Sequence, residues 1–312
     1  MNHEGHEGSE TSKRFWLFVF FVTFVVIDVF AASIAGQTIF RARIDTVLVT
    51  VTVVDANGRL IPHLAKDDFE VFEDGEPQPV TQFTDQRVPV SLGVLLDASD
   101  SMRGGAIVDA RGAVNRFVAE LLGPEDEAFV SVFNHTPRLL ATWTRPPLTL
   151  KGRLDSFRPT GGTAIYDAIV ASAPIFDKRT NTRAALIVIS DGADTASDLT
   201  LLQAREVLRR SDPFVYAIAI DSPDSRESTR VNPEALREIT GPSGGYTEVV
   251  RSAADLGPAT ERIATELNSQ YTLGYTQTRA PDGNWRTIRV RTRDRNYFAR
   301  ARRGYYADPP AR

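Results

Sequence analysis

Val90-Ser91-Leu92-Gly93-Val94-Leu95-Leu96, followed at once by Asp97-Ala98-Ser99-Asp100-Ser101, is the stretch that decides the fold. An almost unbroken apolar run of strand length reads as a strand buried on both faces, as in a parallel sheet with helices above and below. The polar residues that follow stand where such a strand ends. In open α/β sheets the carboxyl end of a strand, where strand order reverses, is where ligands bind.

Downstream, strands and helices alternate. Helical spacing runs over 106–122, with Ile107, Ala110, Val114, Phe117, Val118 and Leu121 on one face. A strand over 127–133, a short one near 138–142 and a helix over 164–176 follow, and Pro174 predicts an early end or a kink in that helix. Strand 183–190, helix 199–210, strand 214–220, a helix near 233–239, a strand near 245–250 and a helix over 253–268 complete the series. This alternation predicts an α/β fold with a doubly wound, mostly parallel sheet.

On both sides the period changes to two. Val47, Val49, Val51 and Val53 alternate, as do residues 69–73, and 80–84 offers a third strand. After the α/β region, 270–275, 285–293 and 298–306 alternate, with Asp282-Gly283 as a hairpin turn. Neither flank has enough strands to stand alone. The expected organisation is therefore a leader over 1–37, a first β segment over 38–88, the α/β domain over 89–268 and a second β segment over 269–312. The two β segments are expected to form one sandwich-like domain into which the α/β domain is inserted. Arg289, Arg291, Arg293 and Arg295 are expected along one solvated strand face.

The leader ends its polar part at Lys13-Arg14 and runs through Phe15–Phe30 into Ala31-Ala32-Ser33-Ile34-Ala35. Basic end, apolar run and small residues make a secretory signal, with cleavage after Ala35. The 21 residues from Phe15 to Ala35 also suffice for a membrane anchor, although Asp28 would be costly inside a bilayer. Either reading places the rest of the chain outside the cytoplasm, in the periplasm, secreted or membrane-anchored.

Composition removes several chemistries. The chain of 312 residues has no cysteine, hence no disulfide, thiolate nucleophile or cysteine-bound metal. Of its four histidines, His3 and His6 lie in the leader, so a multi-histidine metal site is not expected. The net charge of −4 gives no general attraction to nucleic acid, and no nucleic-acid motif or P-loop is present.

Three polar loops fall at one sheet edge: Asp97-x-Ser99-x-Ser101, Thr160-Gly161-Gly162-Thr163 and Ser190-Asp191-Gly192. Read singly, the serines and Asp191-Gly192 are also turn residues, and Thr163 is also a helix cap. Read together, they are carboxylate and hydroxyl oxygens converging on a hard cation. Asp100 and Asp194 read as solvated loop acids, and Asp221 as a helix or turn cap.

This set, in this order, resembles the von Willebrand factor A family, whose metal-ion-dependent adhesion site carries Asp-x-Ser-x-Ser, a later Thr and a later Asp. Asp97, Ser99, Ser101, Thr163 and Asp191 match it, and the resemblance spans about 89–268. It implies a Rossmann-like fold, a bound Mg²⁺ (or Mn²⁺ or Ca²⁺), and Ser99 and Ser101 as direct ligands. It implies that Asp97 and Asp191 act largely through bound water, and that Thr163 enters or leaves with conformation. The open coordination position would take an Asp or Glu from a protein partner. The whole chain is similar to bacterial exported proteins that carry such a domain between β segments. The function so implied is adhesion or protein–protein interaction, without enzymatic activity. The alternative is a metal-dependent hydrolase, which needs a base, and His135 is the only histidine near that edge.

Overall fold

The structure, a computed structural model, describes residues 46–145, 150–221 and 230–308. The expected leader over 1–37, read as a cleaved signal or a membrane anchor, lies outside the described residues. Among the described residues, no helix is long and apolar enough to cross a membrane.

The run quoted first is β5, Val90–Asp97, and all of its residues are buried. It lies inside a six-stranded sheet. On one side it pairs in parallel with β6, Glu127–Phe133, and on the other with β8, Arg183–Ser190. Outward from β8 come β9, Phe214–Ile220, and β10, Thr247–Val250, both parallel. Outward from β6 comes β7, Pro137–Thr144, the antiparallel edge. The order β10-β9-β8-β5-β6-β7 makes β5 the strand from which the winding departs in both directions. Gly93 sits at its centre because a Cβ there would stand 2.4 Å from the Phe129 ring and 2.9 Å from Leu186.

Helices cover both faces. The face carrying Leu92, Val94 and Leu96 packs against α1, Gly105–Arg116, α2, Lys151–Asp155, and α6, Leu256–Asn268. The face carrying Leu95, Phe129 and Val188 packs against α3, Ile165–Phe176, α4, Leu201–Ser211, and α5, Pro233–Thr240. The expected helix over 106–122 is shorter: α1 ends at Arg116 and its apolar stripe continues through a π-helical turn, Phe117–Leu121. The helix expected from 253 begins as a 3₁₀ turn, Ala253–Asp255. Pro174 does not end α3 early. It falls in the last turn, where only Ile175 and Phe176 follow it, so a kink there displaces little of the helix. The end of the helix is held by Phe176 against Phe129 and Trp143, and by Trp143 Nε1 donating to the Ile175 carbonyl at 2.8 Å.

Strands from before and after this domain pair directly. β1, Thr46–Val54, lies between β11, Tyr271–Thr276, and β13, Phe298–Ala301, with β4, Val80–Thr84, beyond β11. β2, Phe69–Glu73, lies between β12, Trp285–Thr292, and β3, Glu76–Gln78, with β14, Gly304–Tyr306, beyond β12. Both four-stranded sheets contribute to one cluster containing Val49, Val51, Val71, Tyr271, Leu273, Ile288 and Val290. The alternation over 298–306 is therefore two strands in different sheets. The chain crosses between them at Arg302-Arg303, and Gly304 admits the Trp285 ring, 2.5 Å from where its Cβ would be. The arginine row is also shorter than expected. Arg289 and Arg291 face solvent on β12, but Arg293 and Arg295 lie beyond its end, and the alternate position Arg286 is buried against Glu73 at 3.5 Å.

Two buried polar residues join the α/β domain to these sheets. Arg183, at the start of β8, donates to the carbonyls of Val88 and Leu267 and to Gln270 Oε1. Glu266, in the last turn of α6, accepts from Thr52 Oγ1 at 3.1 Å, Tyr216 OH at 2.9 Å and Arg300 Nη2 at 2.5 Å. Glu266→Ala leaves the buried hydroxyls of Thr52 and Tyr216 and the half-buried Arg300 guanidinium short of this acceptor. It should cost about 2–4 kcal/mol, a fall in melting temperature of roughly 5–10 °C. Glu261→Ala, which removes an exposed partner of Arg116, should stay within about 0.5 kcal/mol. Thermal melts of both variants beside the wild type check this contrast.

Candidate functional site

β5 ends on a carboxylate with no exposed surface. Asp97 is 0% exposed, and both of its oxygens are engaged inside the protein. Oδ1 accepts from the Ser99 backbone N–H at 2.8 Å, and Oδ2 accepts from Ser190 Oγ at 2.5 Å. The first bond bends the chain back immediately after the strand, so that Ser99 and Ser101 are offered at the sheet edge. Backbone bonds then tie this loop to its neighbours: Ala98 N–H to the Phe133 carbonyl at 2.7 Å, Thr160 N–H to Ala98 at 3.0 Å and Asp100 N–H to Gly161 at 2.9 Å.

The second loop turns at Gly161, whose φ of +79° lies in the left-handed region. A side chain there would also meet the His135 ring at 2.6 Å. Thr163 follows, 4% exposed. Its N–H donates to Thr195 Oγ1 at 3.1 Å, and its carbonyl accepts from Thr195 and Ala196 at 2.9 and 3.1 Å. Its side chain does not cap α3. That task falls to Asp194 and Ser197, both 3.1 Å from the Tyr166 N–H. Asp194 is thus a capping residue, a correction to its reading as a solvated acid: an acceptor at the start of α3 satisfies a donor that the helix leaves open. Among the described residues Asp221 pairs with Arg230, with Nη2 to Oδ2 at 2.7 Å, and the segment it would cap, 222–229, lies outside them. Asp100 stays at the surface, paired with Arg103 at 2.6 Å.

The third loop brings Asp191, 6% exposed. Its Oδ1 accepts from Ser101 Oγ at 2.6 Å, and Ser101 Oγ lies 3.0 Å from Ser99 Oγ. Ser99, Ser101, Thr163 and Asp191 line one cleft of about 690 Å³, which Asp109 and Ser252 also border. Asp97 lies beneath its floor. The structure therefore brings four of the five sequence-identified residues to one cavity and places the fifth where it orients them. Sequence reasoning placed Ser190 in the third loop but not as the donor to Asp97, and it passed over Thr195, the acceptor for Thr163, and Asn134, whose carbonyl accepts from Ala164 N–H at 2.7 Å. Only Ser190 left a signal, as a hydroxyl ending an otherwise apolar strand.

Burial raises the pKa of both carboxyl groups. Asp97 is pushed up to about 7 by desolvation, which its hydrogen bonds from Ser190 and Ser99 oppose and the nearby Asp191 charge reinforces. Asp191 is also raised by burial, against the bond from Ser101. Among the described residues, no three or more His, Cys, Asp or Glu gather in a metal-binding group. The donors here are hydroxyls and carboxylates, a set suited to a hard cation that keeps part of its water. Two neighbouring carboxyls that burial holds back from ionising are also what a nearby cation would relieve. The residues fit such an ion.

Residues 92–193 match the family model of the von Willebrand factor type A domain. No curated protein matches the chain. A von Willebrand factor type A protein from Catenulispora acidiphila is 13% identical, with a TM-score of 0.52 over 83% of this chain and 71% of its own. The von Willebrand factor domain of the type V pilus tip protein Mfa5 from Porphyromonas gingivalis is 14% identical, with a TM-score of 0.49 over 58% of this chain and 96% of its own. Proximal thread matrix protein 1 from the mussel byssus is 16% identical, with a TM-score of 0.47 over 58% of this chain. The chain covers 48% of that protein, about half its length. The match over 92–193 places a likeness to the von Willebrand factor type A domain within the α/β domain, and the Catenulispora protein shares its fold.

The raised pKa of Asp97 has a measurable sign. The unfolded chain releases this proton near the ordinary value of 3.8, and the folded protein holds it to about 7. Its ionisation therefore costs stability progressively as pH rises from about 4 to 7. In chelator, Asp97→Asn should match the wild type in melting temperature near pH 4. By pH 8 it should be more stable by roughly 1–4 kcal/mol. A gain that is independent of pH would contradict this origin.

Proposed function

We propose that this protein is an exported binding module whose α/β domain holds Mg²⁺, or Mn²⁺ or Ca²⁺, at the carboxyl edge of its sheet and binds a protein partner through it. The observation that carries this reading is the convergence of Ser99, Ser101 and Asp191 oxygens, at 2.6 and 3.0 Å from one to the next, in an open cleft shared with Thr163. Ser99 and Ser101 would be direct ligands. Asp97 would support them from behind, and Asp191 would act through water. Only partial neutralisation of the cation follows from this donor set, so an anionic group from outside, an Asp or Glu side chain, completes it. No step of bond-breaking is required of the protein, which is read as non-enzymatic.

The flanking strands are read as one β-sandwich carrying the module, and the apolar segment at 15–35 as its export signal or membrane anchor. Glu266 gives the sandwich a hold on α6, so any change of affinity that moves α6 would be transmitted to it.

Calorimetry with Mg²⁺ and Mn²⁺ tests the site. The wild type should bind, Asp97→Ala should lose binding while remaining folded, and Thr163→Ala should weaken partner binding more than metal binding. Cross-linking to exported proteins should give a product in Mg²⁺ that chelator abolishes, and a panel of hydrolase substrates should show no metal-dependent turnover. Unchanged metal affinity in Asp97→Ala would reduce the motif to a turn.

A further inference from the structure

Ser190 lies at the end of β8 with 0% exposure and does not reach the cleft. Its hydroxyl nevertheless joins two of the three loops. It donates to Asp97 Oδ2 at 2.5 Å and accepts from the Gly192 N–H at 3.2 Å. The parallel register brings this about: Leu96 is paired with Ile189, so the next residues, Asp97 and Ser190, leave the sheet side by side. The other oxygen of Asp97 holds the Ser99 N–H at 2.8 Å. One continuous chain of hydrogen bonds thus runs from the backbone of the Asp191 loop, through Ser190 and Asp97, to the backbone of the Ser99–Ser101 loop.

We propose that Ser190 is a positioning residue for the cation site, fixing the orientation of Asp97 and with it the spacing between Asp191 and the two serine hydroxyls. This rests on the metal-binding reading above. Three features support it. Both partners are fully buried, so water cannot replace the hydroxyl when it is removed. The bond is short and charge-assisted whenever Asp97 is ionised, which makes it stronger than a neutral one. The hydroxyl also uses its donor and an acceptor position at once, so its rotation is set by both loops. Groups that orient a metal's supporting carboxylates typically change affinity about 10–100-fold when removed.

The test is Mg²⁺ calorimetry on the full chain, well below its melting temperature, with four variants. Ser190→Ala and Ser190→Cys remove the hydroxyl, the second with little change of volume, so that one remains informative if the other folds poorly. Ser190→Thr keeps the hydroxyl. Ser172→Ala removes a comparably buried hydroxyl that bonds only within α3, to the Ile169 carbonyl at 2.6 Å. The expected result is a roughly 10–100-fold loss of Mg²⁺ affinity in Ser190→Ala and Ser190→Cys. Ser190→Thr should bind more tightly than either, and Ser172→Ala should bind as the wild type does. Wild-type affinity in Ser190→Ala and Ser190→Cys, or Ser190→Thr no better than Ser190→Ala, overturns the proposal alone. A wild type that binds no Mg²⁺ overturns the metal reading beneath it.

Discussion

A carboxylate with no access to water is the constraint around which the sheet edge is organised. An isolated buried charge of this kind is costly, and its hydrogen bonds must come from the protein. Asp97 obtains them from two different loops, Ser99 on its own and Ser190 on the neighbouring strand. The bonds that satisfy it therefore also fix where the hydroxyls of Ser99 and Ser101 and the carboxyl of Asp191 are presented. Its position inside the sheet, with β8 on one side and β6 on the other, is what makes this possible, because an edge strand would leave one flank to solvent.

The remaining opposition is electrostatic. Asp97 and Asp191 both resist ionisation, and burial is the leading cause for each. Strain of this sort clusters at sites that bind something, since structure elsewhere must overcome it. Here the compensation comes from two hydrophobic layers, one on each face of the sheet, which hold the strands in register independently of the edge.

The α/β domain is also not mechanically separate from its flanks. Glu266 ties the last turn of α6 to β1, β9 and β13, and Arg183 ties the start of β8 to residues on either side of the domain. Sliding α6 along its axis would break these bonds, and those from Thr52 and Tyr216 are buried, where water does not readily replace them. The contacts of Arg209 with Trp285 and of Arg210 with Tyr306 add a second, more exposed seam between α4 and the flanking strands.

The sequence by itself determined the alternation of buried strands and amphipathic helices, because apolar periodicity is local: 90–96, 127–133, 183–190 and 214–220 are strands at almost those limits. It also determined which loops carry oxygen donors, since Asp97, Ser99, Ser101, Thr163 and Asp191 stand directly after strands or before a helix. Only the tertiary structure decided how those donors are used. That Asp97 lies under the cleft and not in it depends on its neighbours across the sheet, and Ser190 becomes its partner only through the β5–β8 register. The division of 298–306 between two sheets, the burial of Arg286 against Glu73 and the capping of α3 by Asp194 were likewise settled by residues far away in sequence. Periodicity reports which side of an element is buried, whereas the partner of a buried polar group is chosen by whichever strand or loop the fold brings beside it.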